Sequence, residues 1–162
     1  MARKGEVSRS RLLAAAERLF AERGVKGTTV SAIVAEAGLT QAAFYLYFKS
    51  KEDMVEALVN RFGEMLDQYT DAGRLVDQYP PDELEERIAA VFVGLFELLG
   101  KNANLTRIVL QDTEAGERYR DRIVEQIARN MRRNQSLGIV DSGIEPVIAA
   151  EAIVASVERL VF

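Results

Sequence analysis

Apolar residues recur at three- and four-residue steps through almost the whole chain, and no run alternates apolar and polar positions between turn residues. That period predicts amphipathic helices and no half-buried strands. Leu12, Ala16, Leu19 and Phe20 make the first stripe, with Ser8 as its cap and Gly24 as its stop. Val30, Ile33, Val34 and Ala37 make a shorter one. It opens at Thr29, whose hydroxyl can accept from the free N–H groups of the first turn. Gly38 ends it, because glycine accepts the left-handed conformation that a C-terminal cap requires. Only Leu39 separates Gly38 from Thr40, the next cap. Leu39 and Phe44 fall where an apolar pair fixes the entry angle of a helix. Two short helices that close together, with glycine in the turn, describe a helix-turn-helix.

The pattern continues beyond it. Phe48-Lys49-Ser50 is a short break, and Ser50 and Asp53 have capping-box spacing, although aspartate reaches less far than glutamate. Met54, Leu58, Phe62, Met65 and Tyr69 then mark a helix running toward about Ala72. Asp71 to Pro81 reads as a polar linker. Pro81 suits a first helical position, with Asp82 and Glu83 where the helix dipole favours negative charge. The next helix carries Leu84, Ile88, Val91, Phe92, Leu95, Phe96, Leu98 and Leu99. So much apolar circumference predicts burial on more than one side. Further helices are expected over Asn104–Gln111, over Glu114–Leu137 with Gly138 as its stop, and over Pro146–Phe162, which is rich in alanine. The expected fold is all-α.

The residues of the second short helix that face away from its packing carry the chemistry. Gln41, Ala42 and Ala43 form its first turn, and Tyr45 and Tyr47 follow. A helix entering a DNA major groove reads base edges with its N-terminal residues. Small side chains there permit close approach and contact with a thymine methyl, and glutamine can pair bidentately with adenine. Tyrosine hydroxyls suit phosphate oxygens. The same residues also fit a plainer role, with alanines as good helix formers and tyrosines as half-buried packing. On spacing alone the two readings stand about even.

Charge shifts that balance. The net charge is −4, yet residues 1–51 hold nine Lys/Arg against four Asp/Glu (+5), and residues 52–162 hold twelve against twenty-one (−9). An acidic protein can bind DNA when its positive charge gathers on one head, because phosphate contacts act locally. Met1–Val7, with Arg3 and Lys4, has no periodicity and is expected to be an arm that touches phosphate when DNA is bound. The chain has neither cysteine nor histidine. That removes disulfides, thiol nucleophiles, Ser/His triads and His/Cys zinc sites. Glu114, Glu117 and Asp121 bring carboxylates together, but the interleaved Arg118, Arg120 and Arg122 make them a solvated face with ion pairs. No catalytic residue, metal site or cofactor is therefore expected. With no signal peptide and no apolar run near the roughly 20 residues of a spanning helix, the expected location is cytoplasmic, away from membranes.

The run TTVSAIVAEAGLTQAAFYLYFKSKEDM resembles the DNA-binding signature of the tetracycline-repressor (TetR) family of transcription regulators. The resemblance rests on the paired threonines, the Ala-Gly-Leu turn, Phe44-Tyr45, Tyr47-Phe48 and Lys51-Glu52. It is specific over about the first fifty residues and one of helix layout thereafter. It implies a three-helix head over 1–51, continuing through a linking helix into an effector-binding and dimerisation bundle over 52–162. Thr40 to Phe48 would be the recognition helix. Thr29, Ser31, Thr40, Gln41, Ala42, Ala43, Tyr45 and Tyr47 would face DNA, and Lys51 would sit on a phosphate. Phe92, Leu95, Phe96, Leu99, Ile108, Ile127 and Met131 would line the pocket of a small apolar or amphipathic effector, although each is also ordinary core material. The family's members usually close with two helices that dimerise. Here one is recognisable, its stripe of Ile148, Ala152, Ile153, Val157, Leu160 and Val161 still running at Phe162.

The implied function is a homodimeric, ligand-responsive repressor on a palindromic double-stranded operator. The competing class is a helical interaction module whose head contacts protein; charge segregation weighs against it. An enzyme is the third class, and no residue pattern nominates a reaction.

Overall fold

A computed structural model describes residues 4–110 and 113–161. Eight α-helices account for most of them: α1 (Lys4–Arg23), α2 (Val30–Glu36), α3 (Gln41–Tyr45), α4 (Lys51–Thr70), α5 (Leu84–Lys101), α6 (Ala103–Leu110), α7 (Glu114–Ser136) and α8 (Pro146–Val161). No strand occurs among the described residues. Met1–Arg3, Gln111 and Phe162, which the expected arm and helices included, lie outside them.

Three local expectations are corrected. Lys4 to Val7 are not an arm but the first turn of α1, and Ser8 lies inside that helix rather than capping it. Glu6 in the first turn suits the dipole, which helps offset the low helix propensity of Gly5. The linker expected over Asp71–Pro81 is mostly coiled, as 3₁₀ turns at Ala72–Gln78 and Pro81–Glu83. The apolar α5 is not buried on several sides within the chain: Leu99 is buried, but Ile88, Phe92 and Val93 are exposed.

The described residues of Met1–Phe62 and Ala103–Gly116 form one compact unit. Leu12, Phe20, Ile33, Phe44, Met54, Leu58 and Ile108 are all fully buried in it. Burying each of these side chains contributes roughly 1.5–3 kcal/mol. This unit reaches into α4 as far as Phe62, because the first turns of α4 supply Met54, Val55, Leu58 and Val59 to its core. The short α6 belongs here too. It packs on α1, and Arg107 donates to the Ala21 carbonyl (3.2 Å).

The described residues of Gly63–Asn102 and Glu117–Phe162 form the second unit. Its core is built where α7 meets α8: Val124, Ala128 and Ala150 are buried, with Ile127, Val147 and Val154 packed against them. On α7, Asn130 donates to Thr70 O (3.3 Å) and Asn134 to Gly73 O (2.9 Å). Arg133 donates to Arg74 O (2.9 Å) and pairs with Asp77 through two hydrogen bonds. These side chains tie α7 to carbonyls at the end of α4 (Thr70) and in the 3₁₀ segment that follows it (Gly73 and Arg74).

Candidate nucleic-acid interface

Local chemistry fixes the helix-turn-helix. Thr29 caps α2, its hydroxyl accepting from Ala32 N (3.2 Å), and Thr40 caps α3 in the same way from Ala43 N (3.2 Å). At the close of α2, Gly38 N donates to Ala35 O (3.1 Å) and Leu39 N to Val34 O (2.8 Å). That is the two-bond glycine cap, and Gly38 adopts φ +61 to make it. Thr28, given no task in the sequence reading, is buried and donates to Leu19 O (3.2 Å) and Gly24 O (2.8 Å), tying the pair of helices to α1.

The recognition segment is shorter as a regular helix than Thr40–Phe48. α3 ends at Tyr45, and Tyr47 N and Phe48 N both donate to Phe44 O through a closing turn. Phe44 and Phe48 point inward and are buried. Gln41 and Ala42 are exposed, Ala43 is half-buried, and Tyr45 is 60% exposed with its ring edge-on to Phe44 at 5.2 Å. Tyr47 is half-buried, its hydroxyl lying near Gly5 of α1. On α2, Thr29 and Ser31 are exposed, and Ser31 Oγ accepts from Gln41 Nε2 (2.7 Å). The structure thus gathers Thr29, Ser31, Thr40, Gln41, Ala42, Ala43, Tyr45 and Tyr47 on two linked short helices, their caps and the turn that closes α3.

Lys51 is the first residue of α4. It is half-buried, and its ammonium donates to Val25 O (2.7 Å) and Thr28 O (3.0 Å). Its charge braces the loop between α1 and α2. The capping box at the start of α4 is also shifted: Asp53 N donates to Ser50 Oγ (3.1 Å), while the Asp53 carboxylate accepts from Lys49 N (2.9 Å) rather than from the cap itself. Leu46 was missed in the sequence. It is 78% exposed between Tyr45 and Tyr47, as its step from buried Phe44 and Phe48 would have implied.

Of the effector candidates, Phe92 and Phe96 line an open groove of about 250 Å³ with Ala152, Ile153, Ser156, Val157 and Leu160 of α8. Leu95 is half-buried, Leu99 is buried, and Ile127 and Met131 are half-buried on α7. Ile108 does not join them within the second unit; it is fully buried in the first, where α6 packs on α1. No metal-binding cluster of His, Cys, Asp or Glu occurs among the described residues, and no single described helix is long and apolar enough to cross a membrane.

Residues 12–58 match the family of bacterial regulatory proteins of tetR type. The uncharacterised HTH-type transcriptional regulator YdgC of Bacillus subtilis (strain 168) is 32% identical over 161 residues, covering 99% of this chain and 82% of YdgC. The chain belongs to the TetR family. A TetR-family structure neighbour is SmeT, the repressor of the Stenotrophomonas maltophilia multidrug efflux pump SmeDEF: TM-score 0.76, 31% identity, 94% of this chain and 76% of SmeT. SmeT solved as a triclosan complex matches at TM-score 0.74 and 29% identity, over 95% of this chain and 78% of that one. TetR-family membership makes this protein a DNA-binding transcriptional regulator.

Proposed function

We propose that this TetR-family regulator is a ligand-responsive repressor, which acts as a cytoplasmic homodimer on a palindromic operator and leaves it when a small apolar or amphipathic effector binds the body. One observation carries the DNA half: the capped pair α2 and α3 presents Gln41 and Ala42 at the exposed start of α3. Gln41 and Ala42 read base edges there. Thr29, Thr40, Tyr45 and Tyr47 contact phosphates beside them, and Ala43 keeps the approach close. Lys51 contributes mainly by holding the loop that carries these groups, and its charge adds to the field at the backbone.

For the body, the reading takes Phe92, Leu95, Phe96, Leu99, Ile127 and Met131 as the effector-facing apolar set. SmeT, which binds the hydrophobic phenol triclosan, supports an apolar ligand class. Ile108 serves the head's core instead. The dimer forms through the alanine-rich α8, where Ile148 is 69% exposed.

Fluorescence anisotropy on labelled duplex DNA tests the reading. Affinity should fall steeply and log-linearly with salt, and one or more members of a lipophilic panel should both raise the melting temperature and release the duplex. Salt-insensitive binding, or retention of protein partners with no affinity for duplex, would favour the interaction-module class.

A further inference from the structure

Gln41 and Ser31 sit on different helices, and their hydrogen bond determines what the glutamine can present. An amide nitrogen carries two protons and the amide oxygen accepts. Ser31 Oγ takes one of the Nε2 protons at 2.7 Å. With Ser31 on the proton that points away from Oε1, the other proton and Oε1 lie side by side in the amide plane, on an exposed residue at the first position of α3. A donor next to an acceptor is the complement of the adenine major-groove edge, with its N7 acceptor and N6 donor.

Ser31 is itself held on a fixed frame. Thr29 caps the start of its helix and the Gly38 cap closes it, so the hydroxyl is not carried by a loose loop. A free glutamine side chain samples many rotamers, and its amide can present either edge. The bond to Ser31 removes most of that freedom before DNA arrives, which is how a supporting residue raises selectivity without new contacts.

We propose that Ser31 is a positioning residue for specificity: it holds the Gln41 amide in the one orientation that reads adenine, at a single symmetric pair of operator positions. The inference rests on the DNA reading above and assigns Ser31 no base contact of its own.

The test uses the duplex that the wild-type protein recovers from a random pool, together with its versions carrying each other base pair at the position where Gln41→Ala relaxes discrimination. Ser31→Ala should lower discrimination there by about 2- to 12-fold, the range of one net hydrogen bond. It should leave the slope of log affinity against log salt unchanged. Ser31→Thr, which keeps a hydroxyl, should restore discrimination, and Ser31→Ala should have no further effect in a Gln41→Ala background. Gln41→Glu gives an arm that leaves Ser31 intact: it lacks both amide protons, so preference should move from adenine toward cytosine, whose N4 donates. The inference is overturned if Ser31→Ala leaves discrimination intact, weakens all duplexes equally, or costs as much without Gln41 as with it. Retained adenine preference in Gln41→Glu also overturns it. Failure of the wild-type protein to select any sequence would instead remove the DNA reading beneath it.

Discussion

Lys51 is tied to Val25: its ammonium donates to that carbonyl oxygen across 2.7 Å, and its other bond goes to Thr28 O. One side chain at the start of α4 therefore closes the loop that leads into the DNA-facing helices. Lys51→Ala removes both bonds; Val25 O keeps its bond from Thr28 N (3.3 Å), while the part-buried Thr28 carbonyl loses its ammonium donor. A loss of about 1.5–3 kcal/mol in the stability of the head follows from the typical worth of a charged hydrogen bond. DNA affinity should fall for specific and random duplexes alike, with a salt slope lowered by no more than about 1 per subunit. Urea denaturation and anisotropy across a salt series measure the two effects. An unchanged unfolding midpoint would mean that the lysine braces nothing.

Tyr119 and Gly63 give a second prediction. The Tyr119 hydroxyl donates to Gly63 O at 3.3 Å, and a Cβ built on Gly63 would come within 2.6 Å of the Tyr119 ring. Inside a helix, glycine to alanine normally stabilises by about 0.5–1 kcal/mol. Here the overlap reverses the sign, and Gly63→Ala should destabilise the body by about 1–3 kcal/mol, the usual cost of overpacking. A rise in melting temperature would contradict the close approach.

The same tyrosine sets an alkaline limit. Burial, reinforced by the nearby Asp67 carboxylate, pushes the Tyr119 phenol up to about 12, although Arg122, whose guanidinium lies 4.7 Å from the ring centroid, pulls the other way. A raised folded value means that the neutral phenol is retained in the native state and ionises first in the unfolded chain. Its contribution is complete below an unfolded value near 10 and declines as pH rises through about 12. Wild-type stability should therefore drop more between these limits than that of Tyr119→Phe, which has no phenol to ionise. Equal pH profiles for the two proteins would refute the buried neutral phenol.

What was legible in the sequence was what local chemistry decides. Thr29, Gly38 and Thr40 act within one turn of themselves, so the two short helices and their junction could be located from residue type and spacing. The stripe of Leu12, Ala16, Leu19 and Phe20 was equally plain, and all four are buried. Choices made by distant packing were not legible. Ile108 has the period of a body helix residue, but α6 is committed to α1 and takes Ile108 into the head. The extra apolar residues of α5 suggested burial on several sides, yet Phe92 and Val93 remain exposed, because helical period does not say which neighbours are available. Lys51 could be placed at a helix start from the sequence. That it would turn toward Val25 and Thr28, which precede it by 26 and 23 residues, could not.

The most direct measurement of the central claim is selection of duplexes from a random pool by the purified wild-type protein. The account predicts enrichment of a two-fold symmetric sequence whose half-site centres lie about one helical turn apart, roughly 10 base pairs, or a multiple of that. One symmetric pair of positions should require adenine, the base that Gln41 is held to read. A pool that remains random after repeated rounds, or an enriched sequence without two-fold symmetry, would contradict it.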